Sequence, residues 1–418
     1  GVMVQGWKTK KFGDVTRIAN GQVNPTERPY CDLIHVAPDN ISLHTGRLDK
    51  NLKTASDLGL TSGKYEFDEK AIVYSKIRPN LNKLCIPRFK GTCSADMYPI
   101  WVKDSHELDI EYLFQYMLSD HFYKPAVAAS MRTGLPKINR EDLNLINIHI
   151  PSLPEQQKIA AILKTWDEAI EKTEWLIETK KKYRDGMAYR LLFGGARHPK
   201  FIKGSGIQKH RWFSLPQDWK FVRIGSVADE YSQKNRGGGD LPVLSCTKHR
   251  GLVNSLEYFG KQIFSIDTST YKIARRGHFA YATNHIEEGS IGYQDLYDQA
   301  LISPMYTVFD ADDKKVHDGY LYKLLKTETY RHIFESNTSA SVDRRGSLRW
   351  KDFSKIFIPL PSRAEQEYIS NVIDEFQNEI NQFEQHKSVL TRQKRGLMQK
   401  LLTGEWQVKV DGKAMEAA

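Results

Sequence analysis

The chain has 418 residues, 40% of them hydrophobic and 27% charged, enough for two to four domains with cores of their own. No run of 18 apolar residues and no basic-then-apolar leader is visible, so the expectation is a protein of the cytoplasm that neither spans a membrane nor is exported. A net charge of +10 points to a polyanionic partner, while Cys31, Cys85, Cys93 and Cys246 lack CxxC spacing, form no zinc template and read as free thiols, so no metal site is expected.

Residues 1–150 read as a mixed α/β domain. Strand-like runs at Ala71–Tyr74, Leu84–Ile86 and Tyr98–Val102 are separated by Gly, Pro, Asn and Asp turns, and a helix-like stretch follows at Ile110–Leu118. Two basic and polar clusters fall in loops: Lys76, Arg78, Asn80, Asn82 and Lys83, then Arg132, Thr133 and Lys137. Arg and Lys grip phosphate or guanine edges and Asn matches adenine, which makes these the candidate nucleic-acid contacts of the first domain.

A strand-like run at Leu143–Ile150 leads into the segment 151–194. Ser152-Leu153-Pro154-Glu155 has the S-x-x-E form of a capping box, in which hydroxyl and carboxylate satisfy first-turn amides. Apolar residues then alternate by four and three through Ile159, Leu163, Trp166, Ile170, Ile177, Met187 and Leu191, with Thr173, Lys180 and Arg184 interrupting. That heptad seam predicts a helix of about 40 residues, roughly 60 Å long, ended by Gly194 at a left-handed position.

Residues 195–360 form a second α/β region and hold most of the charge excess, 25 Lys and Arg against 18 Asp and Glu. Leu215-Pro216-Gln217-Asp218-Trp219 with Ile224-Gly225 parallels Trp7 with Phe12-Gly13 near the front of the chain. Strands are expected at Phe279–Ala282 and Met305–Phe309, with one helix at Tyr320–Phe334. Loop clusters supply Lys234, Asn235 and Arg236, Lys248 and Arg250, Arg275 and Arg276, Asn284 and His285, and Arg344, Arg345 and Arg349 as candidate contacts. Gly237-Gly238-Gly239 reads as a loop, since no phosphate-cradling glycine pattern surrounds it.

A strand-like run at Phe353–Ile358 then opens the segment 361–404, which repeats 151–194 without a gap at an offset of 210. Pro361-Ser362-Arg363-Ala364-Glu365-Gln366 matches Pro151-Ser152-Leu153-Pro154-Glu155-Gln156, and Leu401-Leu402 with Gly404 matches Leu191-Leu192 with Gly194. Its seam runs Ile369, Ile373, Phe376, Ile380, Phe383, Leu390, Leu397 and Leu401. Lys180 stands where the second copy has Leu390, and Lys387 where the first has Ile177, so the two helices are expected to pair with each other, antiparallel. Residues 405–418 are a tail. The fold class is α+β: two pseudo-two-fold related α/β domains separated by two long antiparallel coiled-coil helices.

A duplicated domain whose copies each precede a P-x-x-x-E-Q helix ending in Leu-Leu-x-Gly resembles the specificity subunit of type I restriction–modification systems. The likeness covers the whole chain, although the N-terminal copy keeps only Trp7 and Phe12-Gly13 and lacks Leu-Pro. It implies target-recognition domains at 1–150 and 195–360, and conserved spacer helices at 151–194 and 361–404. It also implies a non-catalytic chain that binds double-stranded DNA and docks two methyltransferase subunits and the restriction subunits. No catalytic residue is then expected, and no cofactor: S-adenosylmethionine, ATP and Mg²⁺ belong to the partners. The residues agree, since no D/N-P-P-Y/F, F-x-G-x-G or Walker A motif is present. Two alternatives stand beside this reading. One is a fused nuclease or methyltransferase with an unrecognised active site; the other is a coiled-coil scaffold with no role at DNA.

Overall fold

The computed structural model of the chain describes residues 6–130, 136–338 and 347–410. The contacts divide the chain into two compact units, one of residues 1–175 with 384–418 and the other of residues 176–383.

In the first unit an antiparallel sheet takes the order Thr16–Ile18, Met97–Val102, Ile72–Ser75, Leu84–Cys85. The run Ile72-Val73-Tyr74-Ser75 is buried throughout, because successive strand side chains leave on opposite faces and both faces are covered. Ile72 and Tyr74 pack with Tyr112, Leu113, Tyr116 and Met117 of the helix Ile110–Leu118. Val73 faces the other way, towards Val36, Phe67 and Cys93 of a three-stranded sheet of Ile34–Val36, Gly91–Cys93 and Tyr65–Phe67. Asp109 caps the helix by accepting from the Tyr112 amide at 2.9 Å. The expected strand at Leu143–Ile150 is two elements. Asn139 accepts from the Asp142 amide and starts a short helix, Arg140–Asn144, and only Asn147–Ile150 is strand, antiparallel to Lys8–Lys11.

The second unit repeats this plan. Its main sheet orders Ala228–Tyr231, Tyr306–Ala311, Phe279–Ala282 and Ile291–Tyr293, all antiparallel. A second sheet orders Gly251–Asn254, Val243–Thr247, Gln299–Ile302 and Lys272–Arg275, with Val243 beside Leu301 in a parallel pair. Lys220–Arg223 pairs with Phe357–Leu360 as Lys8–Lys11 does with Asn147–Ile150. The single helix expected at Tyr320–Phe334 is broken into Asp318–Leu325 and Glu328–Asn337. Thr327 causes the break, its hydroxyl accepting from the Tyr330 amide to cap a new helix.

The two long helices span Leu153–Leu192 and Arg363–Leu401. In the first unit one core contains Ile159 and Leu163, from the start of the first helix, together with Leu401 and Leu402, at the end of the second. In the second unit Ile369 and Ile373 join Leu191, Leu192 and Phe193 in the same way. Each core therefore takes the beginning of one copy and the end of the other. A buried leucine contributes about 1.5–3 kcal/mol, so these ends anchor firmly.

Within each unit the helices run antiparallel. Asp167 pairs with Lys394 at 2.6 Å and Glu174 with Lys387 at 3.6 Å in the first. Lys180 pairs with Glu379 at 2.6 Å in the second, where the Tyr183 and Phe376 rings meet edge to face at 5.4 Å. The contacts repeat at the offset of 210: Asp167 with Lys394 recurs as Gln377 with Arg184. Of the seam residues, Ile159, Leu163, Ile170, Ile177, Leu191, Ile369, Ile373, Ile380 and Leu401 are buried, while Trp166, Met187, Phe376, Phe383, Leu390 and Leu397 are half-buried. Gly194 and Gly404 end the helices at φ of 75° and 74°, a conformation that disfavours any residue with a Cβ.

Candidate nucleic-acid interface

The repeated Glu-Gln pair at the head of each long helix fixes the helix to the domain before it. Gln156 is fully buried; its carbonyl accepts from the Asp109 amide at 2.8 Å and its amide donates to the Glu107 and Pro151 carbonyls at 2.9 Å. Gln366 repeats this with the His317 amide at 2.8 Å and the Pro361 and Lys315 carbonyls. The glutamates do not close a capping box. Ser362 does accept from the Glu365 amide, but the carboxylates turn away to the tryptophans, Trp7 donating to Glu155 at 3.3 Å and Trp219 to Glu365 at 3.2 Å. In the second unit Arg197 adds a fork to both Glu365 and Asp218, which raises its pKa further above the usual guanidinium range. Among the described residues Glu155 has no such partner, and burial raises its carboxyl pKa against the opposing effect of the Trp7 hydrogen bond.

On this framework the backbone gathers loops that are far apart in sequence. In the first unit Ile77 bridges to Lys137, the Ile138 amide donates to the Lys76 carbonyl at 2.9 Å, and the Arg78 amide donates to the Pro136 carbonyl at 2.8 Å. Lys76, Arg78 and Lys137 thus come together. In the second unit the Leu348 amide donates to the Thr283 carbonyl at 2.9 Å, bringing Asn284 and His285 towards Arg349. Arg132, Thr133, Arg344 and Arg345 lie outside the described residues.

The remaining candidates divide by exposure. Arg78, Asn80, Lys137, Lys234, Arg236, Lys248, Arg250, Arg275, Arg276, His285 and Arg349 are exposed. Asn284 is half-buried, and so is Lys83, which donates to the Pro38 carbonyl at 2.8 Å. Arg276 is engaged with Asp298 and His285 with Glu288. Asn82 and Asn235 are corrections. Asn82 is 1% exposed and donates to the Met117 and Leu118 carbonyls, where it satisfies the end of a helix. Asn235 is buried, donating to the Gly239 carbonyl of its own loop and to the Thr268 hydroxyl, 33 residues further along the chain. Neither side chain offers an edge to a partner. Sequence reading missed Arg140, which lies beside Lys76 over the Tyr98 ring. Its only signal was a basic residue following the helix cap Asn139.

No helix among the described residues is long and apolar enough to cross a membrane.

The family model for the type I restriction modification DNA specificity domain matches the chain twice, over residues 4–179 and 216–391. Similar to it is the specificity subunit of the type I restriction enzyme EcoDI from Escherichia coli, 42% identical over 153 residues, which are 37% of this chain and 33% of that one. The chain thus spans about a third of that relative's length. The MjaVIII specificity subunit from Methanocaldococcus jannaschii is 25% identical over 335 residues, 77% of this chain and 75% of its own. Among solved structures, a chain from work on complex assembly and conformational transition of the type I R-M system aligns at 20% identity. Its TM-score is 0.62 over 97% of this chain and 100% of that one, so the two share a fold. With two copies of the specificity domain accounting for most of its 418 residues, the chain belongs to the type I restriction–modification DNA specificity family.

Proposed function

We propose that this chain is the sequence-reading, non-catalytic subunit of a type I restriction–modification complex. Each α/β domain reads one half of a bipartite double-stranded DNA target. The long helices dock two methyltransferase subunits and, through the assembled complex, the restriction subunits. The observation that carries the reading is the recurrence of one paired-loop device, Ile138 to Lys76 in the first domain and Leu348 to Thr283 in the second, on domains that share a frame and differ in their loops. A shared frame with different loops suits two readers of different short sequences. Exposed Arg and Lys on such loops supply phosphate and guanine contacts. S-adenosylmethionine, ATP and Mg²⁺ are assigned to the partners.

The test is a methylome of the host with and without the gene. Adenine methylation at one interrupted motif should vanish with the gene, and an unchanged methylome overturns the reading. The fused-enzyme alternative predicts methyl transfer from labelled S-adenosylmethionine by the purified chain alone.

A further inference from the structure

The pairing of 76–78 with 136–138 has a second effect: it sets two cations over one aromatic floor. Lys76 Nζ lies 4.9 Å from the Tyr98 ring centre, and the Arg140 guanidinium carbon lies 5.0 Å from the same ring. Tyr65 completes the floor at 6.0 and 5.8 Å from the two groups. Lys76 is 9% exposed, yet among the described residues its ammonium has no hydrogen-bond or ion-pair partner. Arg140 donates through one terminal nitrogen to the Ala19 carbonyl at 2.7 Å and the Tyr65 hydroxyl at 3.1 Å, while its Nε is buried without an acceptor. The charges acting on Lys76 are the cations Lys137 and Arg140 and, opposing them, Asp96. Burial and those like charges lower the Lys76 pKa.

Cations held this closely repel, and ring quadrupoles offset only part of that cost. The arrangement suits an anion with several acceptor oxygens. A phosphodiester fits: its single charge is spread over two oxygens that an ammonium and a guanidinium can share. We propose that Lys76 and Arg140, with Lys137 at the rim, seat one backbone phosphate of the DNA target. The seat rests on the DNA-reading function proposed above and is peculiar to the first domain. In the second, Thr283 occupies the place of Lys76, and Trp350 that of Arg140, its ring tilted against those of Phe309 and Phe353.

The experiment uses the assembled methyltransferase complex and duplexes carrying a neutral methylphosphonate at one phosphate at a time. The wild-type complex should lose affinity at one phosphate beside one half-site. Lys76→Gln and Arg140→Gln complexes should be indifferent to that same replacement while still responding to the others. Their log K against log salt slope should fall by about 0.9, the value for one lost phosphate contact, with base preference unchanged. Lys76→Arg should restore the response, whereas a variant that merely misfolds loses affinity at every position alike. Variants as sensitive as wild type at every phosphate, or altered in base preference, overturn the seat while leaving the DNA-reading function standing. A wild-type complex without sequence-specific binding overturns that function and the seat together. Competition by inorganic phosphate, with no methylphosphonate effect, would reassign the seat to free phosphate.

Discussion

At the residue scale, chemistry separates the two copies even where their sequences agree. Glu155 and Glu365 both accept from a tryptophan, but only Glu365 also holds a buried arginine. Removing Glu365 leaves Arg197 paired with Asp218, so the cost stays below the roughly 3–5 kcal/mol of a wholly uncompensated buried charge but above that of one neutral hydrogen bond. Glu365→Ala should therefore speed amide hydrogen exchange strongly in 220–223. Glu155→Ala forfeits only one hydrogen bond, roughly 1 kcal/mol, and should change exchange in 8–11 little. His35 gives the first unit a pH dependence. Burial first, and Lys64 second, lower its pKa from 6.5 to about 4. The folded state favours the neutral ring, so its contribution is full above pH 6.5 and is lost as pH falls towards 4. The shift corresponds to about 3 kcal/mol. His35→Gln, which does not titrate, should flatten that acid limb in unfolding experiments at fixed pH steps.

At the element scale, the long helices were legible because a heptad pattern is local: seam, glycine stop and offset of 210 can all be read along the chain. Leu153–Leu192 and Arg363–Leu401 agree closely with that reading. Which core each helix end enters was not legible, since nothing in the Leu-Leu-x-Gly sequence says what covers its leucines. Short runs failed for a related reason. Leu143–Ile150 has strand composition throughout, but Asn139 offers the backbone a helix cap and takes its first half. Asn82 and Asn235 illustrate the same limit among loop residues, because an asparagine facing a base and one donating inward to the protein's own carbonyls look identical in sequence. The Glu-Gln pair was visible as a repeat, whereas its tryptophan and loop partners, as many as 148 residues away, were not. If the helices set the distance between half-sites, inserting one heptad in each should lengthen the unread gap. The added seven residues amount to about 10 Å, or roughly three base pairs, and the bases read on either side should stay the same. Altered base identities in the resulting methylome would refute the spacer role.

At the scale of the whole molecule, duplication has produced two units that are not two consecutive stretches of chain. One is continuous from 176 to 383; the other joins residues 1–175 to 384–418. Truncation before Met398 should therefore loosen the strand Ile72–Ser75, some 320 residues away, as seen by its hydrogen exchange. The strand Phe279–Ala282 should keep its protection, because its core takes nothing from the removed segment. The same arrangement inverts the usual order of events on the ribosome, where the N-terminal domain ordinarily completes first. Here the unit begun at the N-terminus waits, its core open where Leu401 and Leu402 will fit, while the unit translated after it has every residue it needs once Phe383 has emerged. The first domain to be made is the last to close.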